Sequence, residues 1–471
     1  MPLIEELIRV LGDQNVIIGK DKDRYSSDWL GQYSFEPLCV VRPGSSQEVS
    51  KVVRLAIRFK VQIVPVGGNT GLNGGTHSDG SISISLERMD KIHEIRSCSK
   101  IALVEAGVIL TNLHQAASEN NLKFPLMFGA RGSATIGGVL STNAGGSNVL
   151  KYGNTRDLVL GVEVVLPNGE IMNLMSELHK DNSGYSLRDL VIGAEGTLGI
   201  ITKAVLKLFP KPKAYATAMV AIESLDSALV LLNELQEGTG GAVAAYEYMP
   251  KRYIQCHREL YPTFRKPFEN EYDHLVMVEL ETTVELFSKF GDDGQVLLTV
   301  ELQRILNQNL SKGYIVDAHI AQNEEQRSIM WARREAATEI SLMKRPLINN
   351  DIAVPLDKVS QFLDIMEKKL PELDPNADAF VVSHLGDGNV HYGVWPSQDD
   401  QQHKDKIMEA IEDIVLYLGG SFSAEHGIGL SKLASMERRK DPVALNFMRQ
   451  IKDAIDPDGI MNSGKVLPKV Q

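Results

Sequence analysis

The sequence has 471 residues, of which 43% are hydrophobic and 23% are charged. That composition is typical of a globular protein and excludes a largely disordered chain. At about 150 residues per domain, the length predicts two or three domains. The formal net charge is −12 and no long run of Lys or Arg occurs, so nucleic acid and anionic membrane surfaces are disfavoured as partners.

The N-terminal segment carries apolar residues at helical spacing, namely Ile4, Leu7, Ile8 and Leu11. We therefore expect an amphipathic helix of the mature protein rather than a signal or transit peptide. No apolar stretch approaches the about 18 residues of a membrane span. The cysteines show no regular spacing and are Cys39, Cys98 and Cys256. Neither a disulfide framework nor a thiolate metal site is predicted, which favours a cytoplasmic location, with peripheral membrane contact as the alternative.

Short apolar β runs separated by glycine-rich turns extend from Pro37 to about Phe209. The predicted strands are Cys39–Arg42, Gln62–Val66, Ser81–Leu86, Ala102–Ala106 and Val162–Leu166. Two helices interrupt them, Ser46–Ala56 with a serine cap and Leu110–Ala117. Pro210–Lys213 then breaks the pattern, and we expect a domain boundary there.

Beyond this break, longer helices alternate with strands, which predicts an α+β region. The predicted helices are Leu225–Glu237, Gly294–Asn309, Asn323–Met343 and Leu356–Lys369. The last segment, from Asp456 to Val466, is rich in turn residues. By its pattern alone it would be an ordinary C-terminal tail.

A glycine-rich loop, Gly67–Gly75, directly follows the predicted strand Gln62–Val66. Such a loop can turn its backbone N–H groups inward to bind an anion, and Asn69 and Thr70 add side-chain donors. It matches neither GxGxxG nor the P-loop, and no helix pattern follows it, so a Rossmann fold and a P-loop fold are disfavoured. A flexible hairpin loop is the alternative interpretation.

Two further segments, Pro125–Gly146 and Gly193–Thr202, are also dense in small residues. Glycine at such density allows backbone to approach another group closely over a long distance. Each segment alone could be a set of turns. Three in one domain indicate an extended cofactor.

A cluster of possible metal ligands and bases lies near the C-terminal end, in His384–His391 and Glu425–Gly427. The run from Ala379 to Trp395 predicts a β-hairpin that turns at Gly386–Asn389. We expect Leu385 to pair with Val390, so that His384 faces His391 at a Cβ separation of about 5 Å. With Glu425 the two imidazoles would form a two-His, one-carboxylate metal set with open positions. Two unrelated surface histidines beside a turn are the alternative.

From about Pro37 to Val466 the chain resembles the FAD-linked oxidoreductases with a vanillyl-alcohol-oxidase-type (PCMH-type) flavin domain, most closely the D-2-hydroxyglutarate and D-lactate dehydrogenase branch. The matching segments are Pro65–Leu72, Gly132–Gly146, Lys180–Tyr185, Gly196–Thr202, the hairpin from His384, Glu425–Gly427 and Met461–Lys465. The resemblance implies an α+β protein with a two-subdomain FAD-binding domain at 34–210 and an α+β substrate domain with an antiparallel sheet at 211–420. A helical segment at 1–33 would precede them, and the C-terminal segment 421–471 would return to the FAD domain.

The resemblance also implies which residues contact FAD. These are Gly67, Gly68, Asn69, Thr70, Gly71, Leu72, Gly132, Ser133, Ile136, Gly137, Gly138, Thr142, Asn143, Gly145, Glu195, Gly196, Gly199, Ile200 and Asn462. Covalent attachment through histidine occurs in other branches of the family. No matching histidine lies in these segments, so we expect noncovalent FAD.

The resemblance assigns a role to each member of the C-terminal cluster. His384, His391 and Glu425 would bind a divalent metal, zinc or manganese, and His426 would be the catalytic base. A D-2-hydroxy acid would lose its hydroxyl proton to His426 and its Cα hydride to flavin N5, giving the 2-oxo acid. Arg334 and Thr338, one helical turn apart, would grip the substrate carboxylate, which suits the bidentate donors of arginine.

Two substrate-contacting positions depart from the hydroxyglutarate pattern. Its usual lysine falls here on Asn349 and its usual asparagine on Gly393. Loss of a cation and an amide weakens the case for a second, distal carboxylate on the substrate, so D-lactate or a glycolate-type substrate stays open. An oxygen-using FAD oxidase and a noncatalytic flavin-binding subunit are further alternatives. A quinone or an electron-transfer flavoprotein would accept the electrons, and a homodimer is compatible with the pattern.

Overall fold

The computed structural model describes residues 2–292 and 294–469. The N-terminal region, residues 2–210, consists of short strands and helices around two main sheets. Its strands are β1 (Val16–Ile17), β2 (Cys39–Val41), β3 (Ile63–Val66), β4 (Ile82–Ser85), β5 (Ile92–Arg96), β6 (Ile101–Glu105), β7 (Leu122–Lys123), β8 (Val159–Val165), β9 (Ile171–Leu174), β10 (Ile200–Lys207) and β11 (Phe209–Pro210). Its helices are α1 (Pro2–Leu11), α2 (Ser46–Phe59), α3 (Leu110–Glu119), α4 (Ile136–Thr142), α5 (Val149–Tyr152) and α6 (Leu187–Val191).

The two main sheets differ in strand direction. The first has the order β1-β2-β4-β3, and β2, β4 and β3 are parallel. The second has the order β5-β6-β10-β8-β9 and is antiparallel. Every residue of β2 and β4 is buried, because a parallel sheet is covered on both faces.

The predicted elements of this region are present, with small shifts. Helix α2 begins at Ser46, but its cap is the preceding Ser45, whose side chain accepts a hydrogen bond from the backbone of Glu48. No helix separates β3 from β4, in agreement with the pattern after the glycine loop. Helix α4 was not predicted, since Gly137 and Gly138 are poor helix formers. Its buried residues pack into the core beside the second sheet.

The C-terminal region centres on one seven-stranded sheet. Its strands are β12 (Ala214–Ile222), β13 (Val243–Pro250), β14 (His274–Thr282), β15 (Ile315–Ile320), β16 (Ile348–Ala353), β17 (Asp378–His384) and β18 (Asn389–Trp395). The order is β15-β12-β14-β13-β17-β18-β16, and all neighbours are antiparallel. This confirms the predicted α+β class with an antiparallel sheet in the second region.

Helices surround this sheet and continue into the C-terminal segment. They are α7 (Leu225–Thr239), α8 (Lys251–Leu260), α9 (Leu297–Lys312), α10 (Glu324–Glu335), α11 (Ala337–Ser341), α12 (Val359–Leu373), α13 (Gln401–Tyr417), α14 (Leu433–Arg439) and α15 (Pro442–Ile455). The helix predicted over Asn323–Met343 is therefore two helices. The buried hydroxyl of Tyr253 donates to the carbonyls of Arg333 and Arg334, which a continuous helix would use for its own N–H groups. Within the described residues, no helix combines the length and the apolarity needed to cross a membrane.

The C-terminal segment returns to the first sheet. Ile63 donates to the carbonyl of Ile460 at 2.7 Å and accepts from the backbone of Asn462 at 2.8 Å. Met461 forms a parallel bridge to Ile63 and is fully buried. The predicted return is confirmed, and the segment packs as part of the N-terminal core.

Candidate active site

A cavity of about 330 Å³ lies between the two regions. One side is formed by residues 67–75 and 134–147, which we call the glycine wall. The facing side is called the histidine wall and consists of His384, His391, Glu425 and His426. Arg334, Thr338 and Asn349 line the same space. The structure thus brings the glycine-rich segments and the predicted histidine cluster together.

His384 and His391 lie on the predicted hairpin, but the register differs from the expected one. We expected Leu385 opposite Val390 and the two histidines directly opposite each other. Instead, Asn389 pairs with His384 and Val382 pairs with His391. The four-residue turn that ends at Gly388, with φ of 80°, sets this register. Both imidazoles still share one face of the sheet, with ring centroids 5.4 Å apart.

Three imidazoles converge on one carboxylate oxygen of Glu425. The Nε2 atoms of His384, His391 and His426 lie 3.9, 3.4 and 3.8 Å from Glu425 Oε1. His391 and His426 are stacked, with centroids 5.3 Å apart. Two nitrogen donors on one zinc ion at about 2.1 Å in a tetrahedral arrangement would be about 3.4 Å apart. The spacing of these atoms is close to that of the ligands of one divalent ion.

Glu247 on β13 is a buried carboxylate that the sequence analysis did not identify. Its Oε1 accepts from His384 Nδ1 at 2.9 Å, and its Oε2 accepts from Arg334 Nε at 2.6 Å. Burial opposes ionisation of Glu247, but His384 and Arg334 together lower the pKa of its carboxyl to about 2. The carboxylate is therefore charged at neutral pH and anchors both partners.

Asp351 on β16 is the second buried carboxylate behind the histidine wall. Its Oδ2 accepts from the backbone N–H groups of Ala424, Glu425 and His426 at 3.2, 2.9 and 2.8 Å. Its Oδ1 accepts from Asn389 Nδ2 at 2.8 Å. Asp351 thereby fixes the backbone of the segment that carries Glu425 and His426.

Asp351 also lies near enough to the imidazoles to be considered as a metal ligand. Its Oδ1 is 3.7 Å from Nδ1 of His391 and its Oδ2 is 3.8 Å from Nδ1 of His426. Asp351, His391, Glu425 and His426 form one compact cluster of possible ligands, which does not include His384. The Asp351 oxygens already accept four hydrogen bonds, and they face the Nδ1 side of the rings, whereas the Nε2 atoms face Glu425. We therefore assign Asp351 to orientation of the ligands and not to the ligand set.

The structure explains why glycine is required at Gly67 and Gly68, for a reason that the sequence analysis did not foresee. A Cβ atom on Gly67 would be 2.5 Å from Thr135 Oγ1, and one on Gly68 would be 1.9 Å from the Ser133 carbonyl oxygen. These glycines allow the two glycine-rich segments to approach each other. A Cβ atom on Gly71, in contrast, would have no atom of a described, non-neighbouring residue within 4 Å, so this position faces open space in the cavity.

Gly145 connects the two walls. A Cβ atom there would be 2.6 Å from Oε2 of Glu425. Absence of a side chain at this position lets the proposed metal-binding carboxylate pack directly against the glycine wall.

Most of the residues expected to contact FAD line the cavity. They are Gly67, Gly68, Asn69, Thr70, Gly71, Leu72, Gly137, Gly138, Thr142, Gly145, Glu195, Gly196, Gly199 and Ile200. Four of the others lie away from it. Gly132 and Ser133 are exposed, and Ile136 is buried in the core. Asn143, in the left-handed conformation that ends α4, accepts from the backbone of Arg156 at 2.8 Å.

Asn462 and Glu195 hold the C-terminal segment against the glycine wall. Asn462 lies off the cavity, and its amide donates to the carbonyls of Gly75 and Glu195 at 3.2 and 2.7 Å. The Glu195 carboxylate accepts from the backbone of Ile428 and Gly429 at 2.7 and 2.9 Å. Burial raises the pKa of Glu195, and the two N–H groups oppose that rise. Both residues thus position protein backbone.

The two positions that depart from the hydroxyglutarate pattern lie on neighbouring strands. Asn349 pairs with Gly393 across β16 and β18, but only Asn349 lines the cavity. A Cβ atom on Gly393 would be 2.0 Å from the ring of Phe380. Phe380 lines the cavity and covers Gly393, so the contribution of Gly393 to substrate binding stays a prediction.

The residues that sequence reasoning missed are linked by long-range contacts. Glu247 and Asp351 each pair with a cluster histidine on the adjacent strand, Glu247 with His384 and Asp351 with His391. For Glu247, a lone acidic residue within a largely apolar strand was the available signal. Thr135 lines the cavity, and its Oγ1 is buried without a hydrogen-bond partner among the described residues.

Comparisons with known proteins identify the family. The family described as FAD linked oxidases, C-terminal domain, matches residues 211–466, and the family described as FAD binding domain matches residues 37–175. The chain belongs to the FAD-linked oxidases.

Two relatives are similar to it over nearly its whole length. The chain is 33% identical over 452 residues to D-2-hydroxyglutarate dehydrogenase of Xanthomonas citri, covering 95% of this chain and 92% of the relative. It is 31% identical over 466 residues to a Schizosaccharomyces pombe protein that carries the name D-lactate dehydrogenase, covering 95% and 86%.

Solved structures show the same fold. The chain superposes on p-cresol methylhydroxylase with a TM-score of 0.75 at 17% identity, covering 98% of this chain and 96% of that one. At this identity the likeness establishes the fold of an FAD-linked oxidase and nothing about the substrate. The resemblance of the sequence to the PCMH-type flavin fold is confirmed.

Proposed function

We propose that this chain is an FAD- and metal-dependent dehydrogenase that oxidises a D-2-hydroxy acid to the 2-oxo acid. One observation carries the proposal: the Nε2 atoms of His384, His391 and His426 converge on Glu425 Oε1 at a cavity whose other side is the glycine wall. The FAD-binding family match and the names of the relatives support it.

The cavity suits noncovalent FAD. The buried Thr135 Oγ1 lines it without a hydrogen-bond partner among the described residues, and a buried polar atom of this kind is usually satisfied by a ligand or water. Gly71 faces open space, and a glycine-rich loop of this kind can direct backbone N–H groups at a pyrophosphate. The glycine wall is therefore the proposed contact surface of the cofactor.

The histidine wall suits a divalent ion. Imidazole and carboxylate donors suit zinc and manganese, and His384, His391 and Glu425 would hold the ion. When bound, FAD accepts a hydride and the ion lowers the pKa of the substrate hydroxyl. The remaining chemistry belongs to the protein's own residues.

His426 is the proposed base. Its Nε2 faces the cavity beside Glu425, and Asp351 holds its backbone N–H and lies near its Nδ1. His426 Nε2 would take the hydroxyl proton of the substrate. Arg334, fixed by Glu247, and Thr338 would orient the substrate carboxylate, and the apolar side chains of Phe380 and Val382 would exclude water from the reacting carbon.

The second carboxylate of hydroxyglutarate has less support than the reaction class. Asn349 is neutral and Phe380 covers Gly393, so this part of the cavity offers neither of the two polar groups expected for a distal carboxylate. This observation favours D-lactate or another short D-2-hydroxy acid as the second candidate substrate.

Flavin bleaching tests the proposal. Purified protein loaded with FAD should lose its flavin absorbance anaerobically with at least one D-2-hydroxy acid and with none of the L enantiomers. A panel of lactate, 2-hydroxyglutarate and glycolate would rank the substrates. A protein that cannot be loaded with FAD, or that no D-2-hydroxy acid reduces, would reject the function.

His426→Ala tests the assignment of the base. We expect flavin reduction to slow by about 10²–10⁴-fold while the bound flavin spectrum stays unchanged. His403→Ala is the matched control, because His403 contacts Asp374 away from the cavity. Normal reduction in the His426 variant would remove His426 from the mechanism.

Removal of the ion tests the metal assignment. A chelator should abolish turnover, and added zinc or manganese should restore it. Full activity in protein shown to be free of divalent metal would contradict the assignment.

The proposed electron acceptor is a quinone or an electron-transfer flavoprotein. Measurement of peroxide distinguishes such an acceptor from oxygen, because an oxidase would produce peroxide. The cytoplasmic location and the homodimer stay predictions.

A further inference from the structure

Glu247 touches both ends of the proposed substrate site. It lies on β13, and the strand register places it directly opposite His384 on β17. One of its oxygens accepts from His384 Nδ1 at 2.9 Å, and the other accepts from Arg334 Nε at 2.6 Å. A single carboxylate thus contacts one member of the histidine wall and the arginine proposed to bind the substrate carboxylate.

The contact with Glu247 selects one tautomer of His384. A carboxylate only accepts hydrogen bonds, so Nδ1 of His384 carries a proton, and in the neutral imidazole that would bind an ion Nε2 keeps the lone pair. That Nε2 is the atom that faces Glu425 Oε1. Arg334 Nη2 lies 3.4 and 3.3 Å from the two ring nitrogens, and these nearly equal distances place it beside the ring rather than on one lone pair.

The position of Arg334 depends on the same carboxylate. The side chains of Arg334 and Glu247 are 8% and 0% exposed, so the guanidinium has little water to solvate it. A buried charge that loses its partner moves or is destabilised. Loss of Glu247 would therefore leave the Arg334 guanidinium in the cavity lining without its buried counter-charge.

We propose that Glu247 is a positioning residue that directs Nε2 of His384 to the metal and fixes Arg334 for the substrate carboxylate. The assignment rests on the proposed function. It extends that function because Glu247 would hold both groups that act on the substrate. His384 would hold the ion at the substrate hydroxyl, and Arg334 would bind the substrate carboxylate. Carboxylates that orient a ligating histidine commonly change metal affinity by about 10–100-fold when they are removed.

Glu279 provides a matched control. It is also a buried glutamate of the same sheet, and it accepts from Arg327 Nε at 2.7 Å and from Trp331 Nε1 at 2.7 Å. It has no contact with a cluster histidine among the described hydrogen bonds and ion pairs. Replacement of Glu279 removes a buried Glu–Arg pair without the link to the histidine wall.

The experiment compares Glu247→Gln with Glu279→Gln in FAD-loaded, full-length protein. Zinc and manganese affinities are measured by competition with a chromophoric chelator, and the KM for the D-2-hydroxy acid is measured separately. For Glu247→Gln we expect about 10–100-fold weaker ion binding, together with a raised KM and an unchanged flavin spectrum. For Glu279→Gln we expect a lower Tm with wild-type ion affinity.

Two outcomes would overturn the assignment. Wild-type ion affinity and KM in Glu247→Gln, with only a lower Tm, would make Glu247 a structural residue. Wild-type protein that binds neither ion would reject the metal-dependent function and this assignment with it.

If Glu247→Gln does not fold, Glu247→Asp serves instead. It keeps the charge but shortens the reach to His384, so weakened ion binding supports the assignment and wild-type ion binding contradicts it.

Discussion

The glycine wall is held together by backbone atoms in close contact, whereas the histidine wall is held together by buried charges. Gly67 and Gly68 leave no room for a Cβ atom against residues 133–138. Across the cavity, Asp351 and Glu247 are fully buried carboxylates that bind backbone N–H groups, imidazole and guanidinium. One wall should therefore be sensitive to added volume, and the other to removed charge.

The difference has a chemical reason. A flat cofactor with a pyrophosphate needs a smooth surface of N–H groups, which side chains would obstruct. A metal and a base need a few side chains held in fixed orientations. Substitutions that separate volume from charge can test whether the two walls behave in these two ways.

The largest effect is expected for Gly68→Ala. The new Cβ atom would be 1.9 Å from the backbone oxygen of Ser133, and backbone cannot move aside as a flexible side chain can. We expect a loss of about 4–5 kcal/mol of stability, at the upper end for single substitutions, and loss of FAD binding. Denaturant unfolding and flavin absorbance measure the two effects.

Two neighbouring glycines provide controls for Gly68→Ala. A Cβ atom on Gly71 or Gly132 would have no non-neighbouring atom within 4 Å in the part of the chain that the structure describes, but only Gly71 lines the cavity. We expect both alanine variants to fold, with weaker FAD binding for Gly71→Ala alone. Equal stability of the Gly68 and Gly132 variants would contradict the close-contact account of the glycine wall.

Asp351→Ala should produce the next largest effect. It removes the acceptor of three backbone N–H groups and leaves the buried ammonium of Lys432, 3.7 Å away, without its counter-charge. Loss of one partner of a buried charge pair costs about 3–5 kcal/mol. Urea unfolding would measure this cost, and ion affinity should fall because Glu425 and His426 lose their backbone anchor. Asp351→Asn keeps the volume, so stability near that of the wild type would argue against charge as the cause.

Sequence reasoning located both walls but explained them unequally. The histidine cluster was predicted residue by residue, because its chemistry depends on side-chain type and the hairpin pattern was clear. The glycine segments were located as a region, yet Gly132 and Ser133 are exposed and Ile136 lies in the core. Which glycine faces a ligand and which faces protein depends on how two distant segments pack.

The same limit applies to register and to the buried carboxylates. The hairpin register differed because it depends on the turn that ends at Gly388. Glu247 and Asp351 acquire their roles from strands that are adjacent in space and distant in sequence. The sequence of a single strand does not show which strand lies next to it, since any strand with a buried acidic residue would have the same pattern.

Glu195→Gln tests the connection between the walls and should have a smaller effect. The carboxylate accepts from two N–H groups of the segment that follows His426. A glutamine can accept through one oxygen only, so we expect a loss of about 1–2 kcal/mol. We also expect slower flavin reduction with FAD affinity nearly unchanged. Unchanged reduction rates would show that the two walls are positioned independently.

The smallest effect is expected from protonation of His114 on α3, whose ring lies near Phe124 in a core cluster of the N-terminal region. Its Nε2 is buried without a hydrogen-bond partner among the described residues, and burial lowers the pKa of the imidazole to about 4. In the unfolded chain the pKa is about 6.5. Between these values the unfolded state binds more protons than the folded state, so stability falls as the pH drops from 6.5 to 4 and does not fall further on this account.

His114→Gln should remove part of this acid sensitivity. Because the side chain is partly exposed, we expect the variant to lose about 1–2 kcal/mol less than the wild type between pH 7 and pH 4.5, measured as free energies of urea unfolding. His179→Gln, at an exposed position in the same region, is the matched control and should follow the wild type. Parallel pH profiles for wild type and His114→Gln would mean that a histidine can be charged at this site without cost.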